Sequence, residues 1–373
     1  MRVVFLSTFH EQCGIATHAE GLKEGLEACG VHVDVIAPRR IPDDPGWGEQ
    51  PPRLWNRNRA FGFEALRVVS AIKALRPDVV HAQVNLSLFS SRVLYNIAYL
   101  LRRAHIPLVV TLHGRKGGSW GRNFKLWRLT QALRHADVIV HSEDHVRELG
   151  RERVHIISPG LPRRVARPML EARKALGIPE GRKVVAHFGF LVPDKGVAEM
   201  LRAVAELPDV FYWIVGAVYA SSESRACFEE LKRIVAELRI ADRVHLTGEF
   251  LPEEQAIGEL EAADWIVLNY LTGGAQGASG AVRRAMSAGR PVAVTSAPVF
   301  DDIRKGVHTM GGSLAASLRE LLGNRALGEE VAARGAALCE EQTWHRVAER
   351  HVALYQSILD RPRDRLKTGE KAA

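Results

Sequence analysis

The chain has 373 residues, too many for one compact sheet and enough for two domains with separate cores. Charged residues make up 25% and hydrophobic ones 46%, which argues against a disordered or fibrous chain, and no apolar stretch approaches the length of a membrane span. The formal charge of +8 favours anionic partners.

At the start, Met1-Arg2 leads through the short apolar run Val3–Leu6 into Ser7-Thr8, too short for a signal peptide. Cys13, Cys29, Cys227 and Cys339 show neither CxxC nor metal-like spacing, so a reducing cytoplasm is expected, with structural cysteines and no bound metal. The β-branched runs Val3–Leu6, Val33–Ile36, Val79–His81, Leu108–Leu112, Val138–Val140 and Val154–Ile157 alternate with segments of helical period. That alternation predicts a parallel sheet covered on both faces.

Ser158-Pro159-Gly160-Leu161-Pro162 reads as a turn-rich crossover, placing a domain boundary near residue 165. A second ladder follows: Val184–Phe188, Phe211–Val215, Val244–Leu246, Trp265–Leu268 and Val292–Val294. The expected organisation is α/β, with one Rossmann-like domain over 1–165, another over 166–340, a helix over 341–359 that packs back on the first domain, and a mobile tail over 360–373. In the helix, Val347, His351, Leu354 and Tyr355 share one face. Ligands of such sheets sit beyond the carboxyl ends of the strands, so the deepest cleft is expected between the two domains.

Gly14 follows the first strand near a helix N-terminus, where an anion can approach free N–H groups; a plain βα turn is the other reading. Gly273–Gly280 carries four glycines ahead of the helix Ala281–Ala288. It is neither a Walker loop nor a G-x-G-x-x-G fingerprint, so a phosphate cradle that includes Gly277, Ser279 and Gly280 stands beside simple close packing. Lys195 lies after the first strand of the second domain, and His113 ends a strand of the first. Taken singly, a loop lysine is usually solvated and a strand-end histidine usually structural.

Asp78-Val79-Val80-His81, Thr111-Leu112-His113-Gly114, Ile157-Ser158-Pro159-Gly160, Gly189 with Lys195-Gly196, Gly216, Gly248-Glu249-Phe250, Ala262-Ala263-Asp264 and the run Ala285–Val292 form an ordered series with Gly14. Together they resemble the retaining glycosyltransferases of family 4, of GT-B fold, from Val3 to about Tyr355. The resemblance implies transfer of a sugar from a nucleoside-diphosphate sugar, such as a UDP- or GDP-sugar, to a hydroxyl of a glycan, lipid-linked or small-molecule acceptor. It implies Gly14 and Lys195 at the diphosphate, His113 at the donor sugar, and Gly189, Gly216, Glu249 and Phe250 around the rest of the donor. No Asp-x-Asp motif stands in a suitable place, so no metal cofactor is expected.

Two departures stand out. Where the family often carries a glutamate pair, E-x7-E, this chain has Gln276 and Arg284; where many relatives carry a diphosphate-binding arginine, it has Phe190. A Gln amide can still bond sugar hydroxyls, whereas Arg284 can only donate. Lys195 with Arg284 then predicts a donor site two positive charges richer than usual, suited to an acidic sugar or an altered grip on pyrophosphate. Because the glutamates are missing, a non-catalytic GT-B protein that binds a sugar nucleotide or glycan is the alternative. An epimerase would need acid and base carboxylates in the cleft, and none is evident in the sequence.

Between Asp78 and Asp137 there is no acidic residue, while Arg115, Lys116, Arg122 and Lys125 fall there among Tyr95, Tyr99, Trp120, Phe124 and Trp127. That composition suits an acceptor site or peripheral contact with the anionic inner face of a membrane, with solvated helix faces as the other reading. Without a recognisable nucleic-acid module, nucleic-acid binding is not expected.

Overall fold

The structure, a computed structural model, describes residues 1–40, 46–57, 62–85, 90–113, 131, 133–149, 152–162, 164–271 and 278–361. Two parallel sheets organise it. The first contains β1 (Arg2–Leu6), β2 (His32–Pro38), β3 (Arg53–Trp55), β4 (Val79–Val84), β5 (Leu108–Leu112), β6 (Asp137–Val140) and β7 (Val154–Ile156), in the order β3-β2-β1-β4-β5-β6-β7. The second contains β8 (Lys183–Phe190), β9 (Val210–Ala217), β10 (Val244–Gly248), β11 (Trp265–Leu268), β12 (Val292–Val294) and β13 (His308–Thr309), in the order β10-β9-β8-β11-β12-β13.

Each of the β-branched runs read as strands becomes one, because a strand buried on both faces needs continuous apolar sequence. Two edge strands escape the pattern. Arg53–Trp55 follows a stretch rich in proline and glycine, and His308–Thr309 is two residues long. Strand order reverses between β1 and β4 in the first sheet and between β8 and β11 in the second, which fixes where each domain opens a crevice.

The helix Trp344–Leu359 leaves the second domain and packs on the first. Val347, Ala348, Leu354 and Tyr355 join Val3, Phe5, Ala19 and Leu22 in one core cluster. Thr343 caps this helix, its side chain accepting from the Arg346 N–H at 3.3 Å. Trp344 fits where two glycines leave room: a Cβ added at Gly21 of the Gly14–Ala28 helix, or at Gly160 of the crossover, would overlap its indole. The crossover and the helix entry are also joined by the Leu161 N–H, which donates to Gln342 O at 2.8 Å. All four cysteines are free, and no helix among the described residues is long and apolar enough to cross a membrane.

Candidate active site

The first wall of the cleft is made of histidines. Period-two alternation puts His81 and Gln83 of β4 on the same face as Thr111 of β5 and His113 just beyond it, and the crossover helix covers that face with His351 and Tyr355. One arrangement of protons satisfies the contacts. His113 Nε2–H donates to Gln83 Oε1 at 2.5 Å, the Gln83 amide donates to His81 Nε2 at 3.4 Å, Thr111 O–H donates to the same nitrogen at 2.7 Å, and His81 Nδ1–H donates to Tyr355 Oη at 2.6 Å. His113 is thereby held as the tautomer whose Nδ1 is an acceptor.

His18 and His141 lie beside it, with ring centres 4.6 and 5.3 Å from that of His113. Burial holds His18, His81 and His113 well below the ordinary histidine range, and neighbouring imidazoles add to the push. The wall is therefore neutral at physiological pH. Gly14 begins its helix exposed, and a Cβ there would meet nothing within 4 Å, so a ligand has room to reach the backbone.

The second wall is built for anions. Gly196, at φ +63°, turns so tightly against the end of β11 that a Cβ would overlap Asn269, and Asn269 Nδ2 donates to Gly196 O at 3.1 Å. This turn presents Lys195, whose Nζ sits 3.7 Å from the centre of the Tyr270 ring and 3.2 Å from Asp194. Tyr270 Oη lies 3.4 Å from Ser279 Oγ, and Ser279 caps the helix Gly280–Ser287 by accepting from Val282 N–H at 3.3 Å. A lysine and a capped helix N-terminus thus converge at the β8/β11 reversal, a combination that suits phosphate.

Arg284 is not the free cation expected of it. Its Nε pairs with Glu253, in the first turn of the helix Glu253–Leu260, so the pair carries no net charge; Asp194 offsets Lys195 in the same way. Among the described residues both cations of the predicted surplus are therefore paired, with carboxylates that composition alone does not place beside them. Glu20 of the first domain lies near this pair. Burial pushes its carboxyl upward and Glu253 adds to that, while the His10 N–H, which Glu20 accepts at 2.8 Å, His10 and Arg284 oppose it. Carboxylates not evident in the sequence as cleft residues therefore stand in the cleft.

The neighbouring Arg283 is the buried one. It donates to Pro159 O and Ser279 O, each at 3.2 Å, and pairs with Asp302. Gly216 is accounted for by packing, since a Cβ there would press on the Leu191 side chain; Gly248, at φ +76°, turns against Phe228. Gly189 lies opposite the first turn of the Gly280–Ser287 helix, and a Cβ there would come 3.6 Å from Ala281. Glu249 and Phe250 are exposed, and Phe190 stacks on Phe250. Gln276, Gly277, Arg115, Lys116, Arg122 and Lys125 lie outside the described residues, as does the tail from residue 362. Among the described residues no group of three His, Cys, Asp or Glu side chains is arranged to hold a metal ion.

Sequence reading missed Gln83, His18, His141, Tyr270 and Glu253, and read Tyr355 as a packing residue without its bond to His81. The one available signal was the spacing of His81 and Gln83 two apart on a strand, matched by Thr111 and His113 on another.

Two crevices facing each other from parallel sheets, one neutral and one fitted for phosphate, define a GT-B protein. Residues 13–160 match the glycosyl transferase 4-like domain and residues 182–324 match the glycosyl transferases group 1 domain. The chain belongs to this family of transferases. It is 32% identical over 294 residues to a D-inositol 3-phosphate glycosyltransferase of Mycolicibacterium smegmatis, covering 72% of this chain and 65% of the relative. The corresponding protein of Mycobacterium ulcerans is 30% identical over 214 residues, covering 52% of this chain and 43% of the relative. The matched part of the chain thus spans 43% to 65% of these relatives' own length. Sucrose-phosphate synthase from Thermosynechococcus elongatus shares the fold at TM-score 0.76 and 21% identity, covering 96% of this chain and 99% of that one. Anabaena HepE in complex with UDP and glucose does so at 0.74 and 18%, covering 96% and 100%.

Proposed function

We propose that the chain is a retaining glycosyltransferase that moves a sugar from a nucleoside-diphosphate sugar to an acceptor hydroxyl without a metal ion. The observation that carries this reading is Lys195, poised on Tyr270 beside the Ser279-capped helix N-terminus at the β8/β11 reversal. As the bond between the anomeric carbon and the diphosphate oxygen breaks, Lys195 and the helix N–H groups stabilise the leaving charge. The acceptor oxygen bonds to that carbon on the face the diphosphate leaves, and the hydroxyl proton passes to the leaving group. Neutral His113, fixed by Gln83, accepts a hydrogen bond from a donor-sugar hydroxyl, and Gly14 offers its backbone to the diphosphate. Gln276 serves the same sugar.

The UDP complex of HepE supports a uridine or similar nucleotide as donor. Relatives named for D-inositol 3-phosphate support including a phosphorylated small molecule among the glycan, lipid-linked and small-molecule acceptors. Peripheral contact with an anionic membrane, from the cytoplasmic side, completes the reading and rests on the basic segment before Asp137.

Thermal-shift measurement against UDP-, GDP-, dTDP- and ADP-sugars identifies the donor, since a ligand far above its Kd adds a few kcal/mol of stability. With that donor, acceptor-dependent release of nucleoside diphosphate is expected to fall on the order of 100- to 1,000-fold in Lys195→Ala. A flat panel, or release indifferent to Lys195, would overturn the reading in favour of a non-catalytic binding protein.

A further inference from the structure

A row of aromatic rings crosses the mouth of the cleft. Phe190, Tyr219 and Phe250 stand at or just past the carboxyl ends of the adjacent strands β8, β9 and β10. Phe190 meets Tyr219 edge to face at 5.1 Å and stacks on Phe250 at 6.3 Å with the planes 23° apart. The row is completed from the first domain, where Trp47 stacks on Phe250 at 6.1 Å and 22°.

Trp47 is held out deliberately. Gly46 and Gly48 on either side of it adopt φ of +59° and +58°, a conformation that favours glycine. The Trp47 N–H donates to His10 O at 3.2 Å, the His10 ring bonds Glu49 O through Nδ1 at 2.7 Å, and Gln50 Nε2 donates to Trp47 O at 2.6 Å. His10 is itself tied by its N–H to Glu20. A loop with that much backbone constraint still leaves Trp47 36% and Phe250 38% exposed. Two adjoining large rings, each more than a third exposed at a cleft mouth, form an apolar patch of the kind that a ligand covers.

Position says what covers them. The phosphate grip lies at the β8/β11 reversal, and the aromatic row runs from β8 outward to β10, so a nucleoside diphosphate anchored at Lys195 can lay its base along the row. Every nucleobase has a flat π face that stacks on aromatic side chains. We propose that Trp47, which rests on Phe250 in this structure, parts from it to admit the nucleobase of the donor and covers that base from the first domain, with Phe250, backed by Phe190 and Tyr219, as the opposite wall. The aromatic substitution at Phe190 then belongs to this floor, and closure of the two domains is coupled to the base end of the donor. Stacking supplies affinity and leaves the choice among bases to groups at their edges. This inference rests on the donor-site reading above.

The test uses the full chain, with calorimetric affinities for UDP, GDP, dTDP and ADP and for inorganic pyrophosphate as a probe without a base. Trp47→Ala is expected to weaken the preferred nucleoside diphosphate on the order of tenfold. Trp47→Phe is expected to keep most of that affinity, and neither variant should change pyrophosphate binding. Tryptophan fluorescence quenched by the nucleotide in the wild type should lose its largest component in Trp47→Phe. Unchanged nucleotide affinity in Trp47→Ala would overturn the proposal while leaving the donor site standing, as would an equal loss for pyrophosphate. A Trp47→Ala effect confined to the acceptor KM would assign the ring to the acceptor instead and overturn it too. If no nucleoside diphosphate binds the wild type, the donor-site reading falls and this proposal with it.

Discussion

The two walls of the cleft solve the problem of buried polarity in opposite ways. On the first, His81, Gln83, Thr111, His113 and Tyr355 are uncharged and satisfy one another through a directed chain of hydrogen bonds. On the second, Lys195, Arg283 and Arg284 are each given a carboxylate, Asp194, Asp302 and Glu253. A neutral network tolerates deep burial only while no member gains a proton, whereas ion pairs tolerate it only while both partners remain. Acid should therefore damage the first wall, and charge deletion the second.

The sharpest break of that comparison is within one dipeptide. Arg283→Ala strands Asp302 in a buried site and is expected to cost about 3–5 kcal/mol in urea unfolding. Arg284→Ala, at a partly exposed pair, should cost under about 1 kcal/mol, with its larger effect on donor affinity. Equal costs for the two would mean that the walls do not differ in the way described.

On the first wall, burial lowers the His351 pKa to about 4 from an ordinary value of 6.5. The unfolded chain then takes up the proton first as pH falls, so stability is whole above about 6.5 and declines towards 4. This one group removes about 3 kcal/mol over that window. The groups facing it are His81 and Tyr355, with His18 and His141 nearby and Arg350 beside it on the helix. His351→Leu should flatten the slope of unfolding free energy against pH by up to one proton, about 1.4 kcal/mol per pH unit. An unaltered slope would show that the ring is not a titrating element of the wall.

The smallest expected effects contrast two glycines. Gly160→Ala intrudes on Trp344 and should cost about 1–3 kcal/mol, seen in thermal unfolding, with a weakened seat for the crossover helix. Gly14→Ala meets no neighbour and should leave stability within about 1 kcal/mol of the wild type. Any loss of donor affinity in Gly14→Ala then reports a clash with ligand rather than damage to the fold.

Alternation of apolar runs with helical segments was enough to read two parallel sheets, and the spacing of Val347, His351, Leu354 and Tyr355 was enough to read the buried face of the last helix, whose limits are Trp344 and Leu359. These features are local, set by the period of a strand or a helix, and a sequence displays its periods directly. The positions of Lys195 and His113 were legible for a related reason, since both follow strands at the end where α/β sheets bind ligands, while their roles rest on the proposed function. What the sequence left open depends on partners distant along the chain. His81 and Tyr355 are 274 residues apart, and nothing local announces their bond. Glu253 and Asp194 cancel charges that composition alone counts as free. Arg283 and Arg284 are chemically identical neighbours, yet a turn of about 100° along one helix sends the first into the interior and the second into the cleft. The class of fold was decided by local periodicity. The tautomer of His113, the pairing of Lys195 and Arg284 with carboxylates and the reach of Trp47 to Phe250 were decided only when the two sheets and the returning helix met.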